Sequence, residues 1–198
     1  MTNTDKTIEY YNKNAREFAA GTIDSDLRSV QGLFADRLPK GAHILDFGCG
    51  AGRDAKYFLE KGFQVEAIDG SKELCSIASQ YSGIQVKQKL FQELDKTECY
   101  DGIWACASVL HLPSAELKSV FLKMIKALKK QGILYVSFKY GTFEGERNGR
   151  YFTDMTENSF TEFLTDIKDL QREKQWITSD VRTGRGNEKW LNLILRKK

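Results

Sequence analysis

Three glycines follow an acidic residue at short, regular spacing in the segment ILDFGCGAGRD, where Gly48, Gly50 and Gly52 alternate after Asp46. Because glycine has no Cβ, such a segment can turn sharply and let a ligand approach its backbone closely. A helix expected from Arg53 would present unpaired amide groups and partial positive charge to a carboxylate or phosphate. The loop and the acid before it therefore predict a binding site for a ligand with an amino-acid moiety.

The two common phosphate-binding loops do not match this segment. The dinucleotide fingerprint GxGxxG needs a third glycine where the sequence has Arg53, and the pattern GxxxxGK[ST] is absent from the chain. The segment therefore argues against a pyrophosphate lying beside the loop.

A second acid, Asp69, ends the next expected strand in the segment VEAIDGS. In a doubly wound sheet the tip of this strand lies beside the first one, at the carboxyl edge where ligands bind. The Asp69 carboxylate would then accept hydrogen bonds from both hydroxyls of a ribose. The alternative is that Asp69 caps the following helix, with Gly70 and Ser71 continuing the turn. The glycine loop one strand earlier favours ribose binding.

Short apolar runs alternate with amphipathic stretches along most of the chain, which predicts βαβ units and a parallel sheet. We expect strands at residues 43–47, 63–69, 84–87, 102–107 and 132–138, and helices at residues 53–61, 71–80 and 114–130. In the last third, a helix at 157–164 precedes strands at 170–178 and 190–196, which should pair as an antiparallel hairpin. Two further helices are expected before the first strand, at residues 5–20 and 24–38.

Composition and charge argue against several classes of protein. The chain has 198 residues, and its 30 basic and 27 acidic side chains give a net charge of +3, which is too small to indicate a polyanionic partner. No apolar run approaches the length of a membrane span, about 18 residues, and the N-terminus lacks the apolar core of a signal peptide. The four cysteines show no ligand spacing, so neither a structural zinc site nor a disulfide framework is expected. We expect a cytoplasmic protein with no metal and no membrane association.

Four segments occur in the order and spacing of one enzyme family, namely LDFGCGAGRD, VEAIDGS, YDGIWACASVLHLP and LKKQGILYVSF. On these segments the sequence resembles the class I S-adenosylmethionine-dependent methyltransferases, in particular the small type 11/25 methyltransferase-domain group. The resemblance implies an α/β, three-layer, Rossmann-like doubly wound fold. Its seven-stranded sheet would have the order 3-2-1-4-5-7-6, with strand 7 antiparallel. The implied cofactor is S-adenosyl-L-methionine, and the implied product is S-adenosyl-L-homocysteine.

The resemblance covers most of the chain and implies one domain over residues 1–198. Residues 1–38 would form an N-terminal helical lid, residues 43–138 the cofactor-binding core, and residues 139–198 the acceptor-side loop, helix and closing hairpin. Tyr11 and Phe18 lie on the helix that folds over the cofactor in this family. The alternative for both aromatic side chains is ordinary packing of an amphipathic helix.

The resemblance also implies a set of cofactor contacts. This set consists of Tyr11, Asp46, Gly48, Cys49, Gly50, Arg53, Asp69, Gly70, Ser71, Leu90, Phe91, Ala105 and Ser108. The glycine loop would lie along the methionine half, Asp69 would hold the ribose, and Gly70 and Ser71 would flank the adenine. Leu90 and Phe91 stand where the family often has an acid near the adenine amine, which leaves backbone groups and an apolar wall for the base.

His111 falls where acceptors approach the transferable methyl group in this family. The usual pKa range of histidine suits a base or an orienting donor. The sulfonium of the cofactor already makes the methyl group electrophilic, so a strong base is optional. The alternative is that His111 caps the turn before Pro113 or packs against the cofactor.

Two variable segments, GTFEGERNGRYFTD and SDVRTGRGNEKW, carry arginine and aromatic side chains. If both segments reach the cleft, Arg147, Arg150, Tyr151, Arg182 and Arg185 would bind a carboxylate or phosphate on the acceptor. The alternative is that these arginines are solvated loop charges in local ion pairs.

The acceptor itself is left open by the sequence. The Pro-Pro motif of enzymes that methylate exocyclic amines of adenine or cytosine is absent, and no proline precedes a cysteine as in cytosine-carbon methyltransferases. A small-molecule acceptor is favoured because the chain is compact. An RNA or protein acceptor and a non-catalytic S-adenosylmethionine-binding module are the alternatives, and no oligomeric state is indicated.

Overall fold

The computed structural model describes residues 2–198, in which nine strands alternate with helices. The strands are β1 (His43–Phe47), β2 (Gln64–Asp69), β3 (Lys87–Gln88), β4 (Tyr100–Ala105), β5 (Leu128–Lys139), β6 (Glu144–Arg147), β7 (Arg150–Thr153), β8 (Leu170–Ser179) and β9 (Lys189–Lys197). The helices are α1 (Asn3–Lys13), α2 (Ala15–Thr22), α3 (Arg28–Ala35), α4 (Arg53–Glu60), α5 (Lys72–Ser82), α6 (Ser114–Ala127) and α7 (Glu157–Leu164). Short 3-10 helices occur at Phe91–Glu93 and Val109–His111.

Seven of these strands form one sheet in the order β3-β2-β1-β4-β5-β9-β8. The first five strands in this order pair in parallel, whereas β9 runs antiparallel to both β5 and β8. The expected order 3-2-1-4-5-7-6 with an antiparallel seventh strand is therefore confirmed, since β8 and β9 are the sixth and seventh strands of this sheet. The remaining strands, β6 and β7, form a separate antiparallel hairpin.

The two faces of the sheet are covered by different helices, which makes three layers. On one face, Leu134, Val136 and Phe138 of β5 pack with α6 and α7 in the largest apolar cluster. On the other face, Trp104 and Tyr135 stack at 4.0 Å between ring centroids and pack with aromatic residues of α3 and α4. Because successive residues of a strand point to opposite faces, the central strands carry buried apolar side chains on both faces.

The N-terminal region differs from the single helix expected at residues 5–20. The helix is interrupted at Asn14, whose backbone leaves the helical region at φ −111° and whose side-chain amide donates to the Tyr10 carbonyl at 2.8 Å. Asparagine competes with the backbone for hydrogen bonds in this way, which is why it favours helix ends. The result is two helices, α1 and α2, that are separated at Asn14.

The helix expected at residues 114–130 also ends early, at Ala127. Leu128 pairs with Tyr100 of β4, and the Lys129 ammonium group contacts the Asp101 carboxylate at 2.9 Å. Sheet pairing therefore overrides the helical pattern over the last three residues, and β5 begins without an intervening loop. Lys129 is thus in an ion pair beside the sheet rather than in the last turn of the expected helix.

No helix within residues 2–198 is both long enough and apolar enough to cross a bilayer.

The β6–β7 hairpin, which the sequence analysis treated as an acceptor-side loop, packs against α1. The Tyr151 amide donates to the Thr7 hydroxyl at 3.0 Å, and Lys6 pairs with Glu146 at 2.9 Å. The hairpin and the N-terminal helix thus form one wall above the carboxyl ends of the strands.

Burial of β9 between β5 and β8 predicts a large loss of stability on Leu193→Ala. Leu193 is fully buried in the main apolar cluster, so removing its side chain should lower the free energy of unfolding by about 2–5 kcal/mol. Leu122→Ala is the matched control, because Leu122 is 47% exposed on α6 and should change stability by less than about 1 kcal/mol. Urea denaturation of the three proteins measures both changes, and equal losses would contradict the assigned register.

Candidate active site

A cavity of about 230 Å³ lies at the carboxyl ends of β1, β2, β4 and β5. Its walls come from α1, α2, the β6–β7 hairpin and the loop between β8 and β9. Parallel strands bring their carboxyl ends to one edge of the sheet, so residues far apart in the sequence meet here. We therefore compare the residues that line this cavity with those that the sequence predicts for the site.

The glycine loop forms one side of this cavity, between the end of β1 and the start of α4. Gly48, Gly50 and Gly52 have φ values of 85°, 55° and 85°, which L side chains rarely adopt. A Cβ on Gly48 would lie 2.5 Å from the Ser108 Cβ, so this position has no room for a side chain. The amides of Gly48 and Cys49 both donate to the Ile68 carbonyl, which ties the loop to β2.

Asp69, at the end of β2, takes part in the turn before α5 and also lines the cavity. Its carboxylate accepts from the Gly50 amide and from the Ser71 amide, each at 2.9 Å, so it shapes the loop and the following turn. Asp69 also lines the cavity, and each of its oxygens retains a further lone pair for a ligand hydroxyl. Burial raises the pKa of Asp69 to about 6, even though the two amide bonds favour the charged form.

A buried ionic network lies beneath the loop. The Asp54 carboxylate accepts from Arg53 at 2.8 and 2.9 Å, from the Trp104 indole at 2.8 Å and from the Gln31 amide at 2.6 Å. Burial alone would raise the pKa of Asp54, but the Arg53 charge and these donors outweigh it, and the pKa is lowered. Arg53 also donates to the Thr22 carbonyl at 3.3 Å, so the network fastens α2, α3, α4 and β4 together.

Asp46 takes a different position from the one expected. It is 2% exposed behind the loop and does not line the cavity, and its Oδ2 has no hydrogen-bond partner among residues 2–198. Burial and the nearby charge of Asp54 raise the pKa of Asp46 well above its usual range. A protonated Asp46 is thus the form that this environment favours.

Helices α1 and α2 close over the loop. The Phe18 ring lies 3.2 Å from the position of a Cβ on Gly50, and Ile8 lies 3.1 Å from that of a Cβ on Gly70. The Asn12 side-chain oxygen accepts from the Ser71 hydroxyl at 2.7 Å, at the start of α5. The absence of side chains at Gly50 and Gly70 is therefore what lets the N-terminal helices approach the loop.

His111 is buried in a hydrogen-bonded chain with Tyr11 and Arg150. Its Nδ1 lies 2.6 Å from the Tyr151 carbonyl, which can only accept, so Nδ1 carries the proton. Its Nε2 therefore accepts from the Tyr11 hydroxyl at 2.9 Å, and the Arg150 guanidinium donates to that same hydroxyl at 3.4 Å. Burial, with a smaller contribution from the Arg150 charge, lowers the pKa of His111 to about 4 and keeps the imidazole neutral.

Arg150 is the guanidinium of the hairpin that reaches the cavity. It lies 4.4 Å from the centroid of the Tyr10 ring, and its Nε is buried without a partner among residues 2–198. Over the same residues no carboxylate forms an ion pair with Arg150, whose side-chain hydrogen bond goes to Tyr11. Arg147, by contrast, pairs with Asp154 at 2.7 Å and does not line the cavity.

The arginines of the β8–β9 loop line the cavity but are already paired. Arg182 donates to both oxygens of Asp180, and these bonds hold the pKa of Asp180 at about 2 against the effect of burial. Arg185 lies 3.8 Å from Glu188 near the solvent. Local ion pairs, the alternative reading of these loop charges, therefore describe Arg182 and Arg185 better than they describe Arg150.

The cavity brings together fifteen of the nineteen residues that the sequence assigned to cofactor, acceptor or catalysis. Those that line it are Tyr11, Gly48, Cys49, Gly50, Arg53, Asp69, Gly70, Ser71, Leu90, Phe91, Ser108, His111, Arg150, Arg182 and Arg185. Asp46, Ala105, Arg147 and Tyr151 do not line it. The Tyr151 ring points toward solvent and donates to Glu144 at 3.0 Å, and its carbonyl is what contacts His111.

Comparison with known proteins fits this geometry. Residues 44–132, which contain the glycine loop, Asp69 and His111, match the family model described as "Methyltransferase domain". This part of the chain is a methyltransferase domain. The sheet order and the position of the cavity at the carboxyl edge are those that the resemblance implied.

The chain is similar to several named relatives and solved structures. It is 34% identical over 104 residues to YqeM of Bacillus subtilis (strain 168), which is named as a methyltransferase; the match covers 49% of this chain and 42% of that protein. The structure of Burkholderia thailandensis 1,6-didemethyltoxoflavin-N1-methyltransferase has a TM-score of 0.79 at 20% identity, covering 96% and 87% of the two chains. That of magnesium protoporphyrin IX methyltransferase from Synechocystis PCC 6803 has a TM-score of 0.77 at 17% identity, covering 100% and 98%.

The sequence matches and the structural matches differ in how much of each chain they cover. The sequence matches span less than two thirds of the length of the curated relatives. At 20% identity or less, the two structural matches show only that the fold is shared. The acceptor therefore has to be argued from the cavity.

Several residues that line the cavity were not predicted from the sequence. They come from β5 and β9 and include Tyr135, Ser137, Lys139 and Asn192. The Tyr135 hydroxyl donates to the Asn192 side chain at 2.7 Å, and Ser137 accepts from the Ala107 amide at 2.9 Å. Polar residues at alternate positions near the carboxyl end of an otherwise apolar strand were the available signal.

The buried, neutral His111 predicts a pH-dependent effect of His111→Gln on stability. In the unfolded chain His111 takes up a proton near pH 6.5, whereas in the folded protein it resists protonation down to about pH 4. Wild type should therefore lose about 2–3 kcal/mol of stability relative to His111→Gln as the pH falls through this window. Urea denaturation of both proteins at pH 7 and pH 4.5 measures the difference. A difference that does not change with pH would show that His111 is accessible to protons.

Proposed function

We propose that the protein transfers a methyl group from S-adenosylmethionine to a small, anionic acceptor molecule. The observation that carries this proposal is the arrangement of the cavity, which has a glycine loop and Asp69 on one side and an unpaired guanidinium, Arg150, on the other. One side suits a cofactor with an amino-acid moiety and a ribose. The other suits an acceptor with a carboxylate or phosphate.

The residues of the loop fit S-adenosylmethionine. The glycine loop lines the cavity, and its backbone would lie along the methionine half. Asp69 would accept from the ribose hydroxyls, and Leu90 and Phe91 would form the apolar wall for the adenine. When bound, the cofactor supplies a methyl group that its sulfonium makes electrophilic.

The chain's own residues would orient the acceptor and exclude water. Helices α1 and α2 cover the loop, and the aromatic side chains of Tyr11 and Phe18 stand 5.1 Å apart between ring centroids at the cavity wall. A cavity closed in this way favours the alignment of two reactants over hydrolysis. The protein would therefore accelerate the reaction mainly by positioning the reactants and only slightly by acid–base catalysis.

His111 serves in this proposal as a positioning residue. Its Nε2 already accepts from Tyr11, and its lowered pKa makes it a weak base in the closed cleft. By accepting from Tyr11, His111 fixes the direction of the phenol, which in turn receives the Arg150 donor. An acceptor anion bound by Arg150 would therefore meet a hydroxyl held in one orientation.

Asp69→Asn should weaken binding of S-adenosylhomocysteine by about ten-fold to 100-fold, because a charged acceptor for two hydroxyls is replaced by a neutral one. Asp95→Asn is the matched control, since the Asp95 side chain is 75% exposed and should leave affinity unchanged. Isothermal titration calorimetry measures both affinities, and thermal unfolding verifies that the variants are folded. Equal affinities would remove Asp69 from the cofactor site.

Transfer of label from methyl-labelled S-adenosylmethionine into a cell extract tests the acceptor class. We expect label in the small-molecule fraction, retained on an anion exchanger. Arg150→Ala should lower the rate constant kcat/KM for that acceptor by about ten-fold or more, chiefly through KM, because a charge-assisted bond is lost. Arg147→Ala, whose arginine pairs with Asp154 outside the cavity, should leave it unchanged.

The other outcomes of the labelling experiment point elsewhere. Label in RNA or protein would overturn the small-molecule acceptor. Binding of S-adenosylhomocysteine with no label in any fraction would indicate a non-catalytic binding module. An acceptor that does not bind an anion exchanger, or an Arg150→Ala variant with normal KM, would overturn the anionic class.

A further inference from the structure

A second cluster of reactive side chains lies away from the cavity, toward the amino-terminal ends of the central strands. It consists of His43 at the start of β1, Glu66 in β2 and Cys99 just before β4. One potential ligand atom from each residue, an imidazole nitrogen, a carboxylate oxygen and a thiol sulfur, lies within 4.8 Å of the other two. Because β1 lies between β2 and β4, three neighbouring strands contribute to the cluster.

The imidazole of His43 is held in one orientation. Its Nδ1 lies 3.2 Å from the Cys99 carbonyl, so Nδ1 donates and the lone pair of neutral His43 resides on Nε2. The His43 amide donates to Asp101 at 2.8 Å, and the ring packs against Tyr100 at 4.9 Å between centroids. A histidine that donates one ring nitrogen to a carbonyl and leaves the other free is the usual arrangement of a metal ligand.

The free Nε2 faces a carboxylate at the spacing that a metal ion requires. Its distance to the Glu66 Oε1 is 3.3 Å. Bonds from zinc to nitrogen and oxygen are about 2.0–2.1 Å, so a tetrahedral zinc ion holds two such ligands about 3.3 Å apart. The other oxygen of Glu66 is fixed by Lys87 at 3.1 Å, which turns Oε1 toward His43.

Cys99 supplies the third ligand. Its thiol is free and half-buried, and its backbone is fixed because the Cys99 amide donates to the Ala127 carbonyl at 2.8 Å. The side chains of His43 and Glu66 are 25% and 28% exposed, so an ion can enter from solvent. The three ligand atoms lie within 4.8 Å of one another, and binding of an ion would draw them closer together.

We infer that His43, Glu66 and Cys99 form a binding site for a divalent transition-metal ion of the zinc type, with water as the fourth ligand. Imidazole, carboxylate and thiolate are all ligands of zinc, and three protein ligands with one open position make a common site. Binding exchanges the thiol proton of Cys99 for the metal, and the proton passes to solvent. The thiolate and the carboxylate then balance the charge of the dication.

The location of the site defines what it would do. The ion would link β2, β1 and the entry to β4 at the end of the sheet remote from the glycine loop. It would not touch the methyl-transfer cavity, none of whose lining residues belongs to the cluster. The expected consequence of binding is stabilisation of the sheet.

Titration of untagged, reduced protein with Co²⁺, followed by its absorption spectrum, tests this inference. We expect a thiolate-to-cobalt charge-transfer band and intense ligand-field bands of a tetrahedral site, saturating at one equivalent and abolished by Zn²⁺. Excess Zn²⁺ should also raise the Tm of the wild type. Cys99→Ser should lose the charge-transfer band, and His43→Gln and Glu66→Gln should each weaken binding by about ten-fold or more.

Two further variants sharpen the test. Cys75→Ala removes a buried thiol elsewhere and should keep the full cobalt spectrum. Lys87→Ala should weaken Co²⁺ binding, because Lys87 holds Oε2 of Glu66 and so turns Oε1 toward His43. Far-ultraviolet circular dichroism verifies that each variant is folded.

Three results would overturn the site. No charge-transfer band with equimolar Co²⁺ and wild type would show that His43 and Glu66 form an ordinary ion pair. A band that persists in Cys99→Ser would assign it to another thiol. Unchanged affinity in both His43→Gln and Glu66→Gln would show a lone cysteine that binds metal nonspecifically.

Discussion

The Asp69 carboxylate holds together the part of the molecule on which the cleft depends. Its two oxygens bind the amides of Gly50 and Ser71, and so join the loop after β1 to the turn after β2. Both amides lie in backbone that has no partner in the sheet, and without the carboxylate they would have to find water. The same carboxyl group faces the cavity, where partial burial raises its pKa. The side chain that shapes this edge of the sheet therefore also lines the cavity.

The surroundings of Asp69 show how the fold distributes buried charge. Arg53 and Asp54 neutralise each other beneath the loop, with Trp104 and Gln31 as further donors. Burial disfavours the charged forms of Asp46 and His111. Arg150 alone at the cavity wall remains a cation without a carboxylate partner among residues 2–198. Arg150 is only partly exposed and its Nε is buried without a partner, which is the physical reason to propose an anion as its ligand.

Much of this architecture could be predicted from the sequence, because alternating strands and helices determine a parallel sheet and its carboxyl edge determines where the site lies. The glycine loop and Asp69 were found in this way. The break at Asn14, the start of β5 at Leu128 and the β6–β7 hairpin were not, since each depends on a partner distant in the chain. The residues of β5 that line the cavity were also missed, although Tyr135, Ser137 and Lys139 alternate near the end of this strand.

The cysteine pattern illustrates this limit most clearly. The absence of short ligand spacings led us to expect no metal, yet His43, Glu66 and Cys99 come together because β1 pairs with β2 on one side and β4 on the other. A spacing rule detects ligands on one turn or one hairpin. It has no means of detecting ligands that meet only when parallel strands align.

Helix α1 is shared by both halves of the cleft. Asn12 and Ile8 contact the turn after β2, while Thr7 and Tyr10 contact the hairpin that carries Arg150. A displacement of this helix that admits one ligand also removes the wall that faces the other. In the proposed reaction, a movement of α1 would therefore open the cofactor side and the acceptor side of the cleft together.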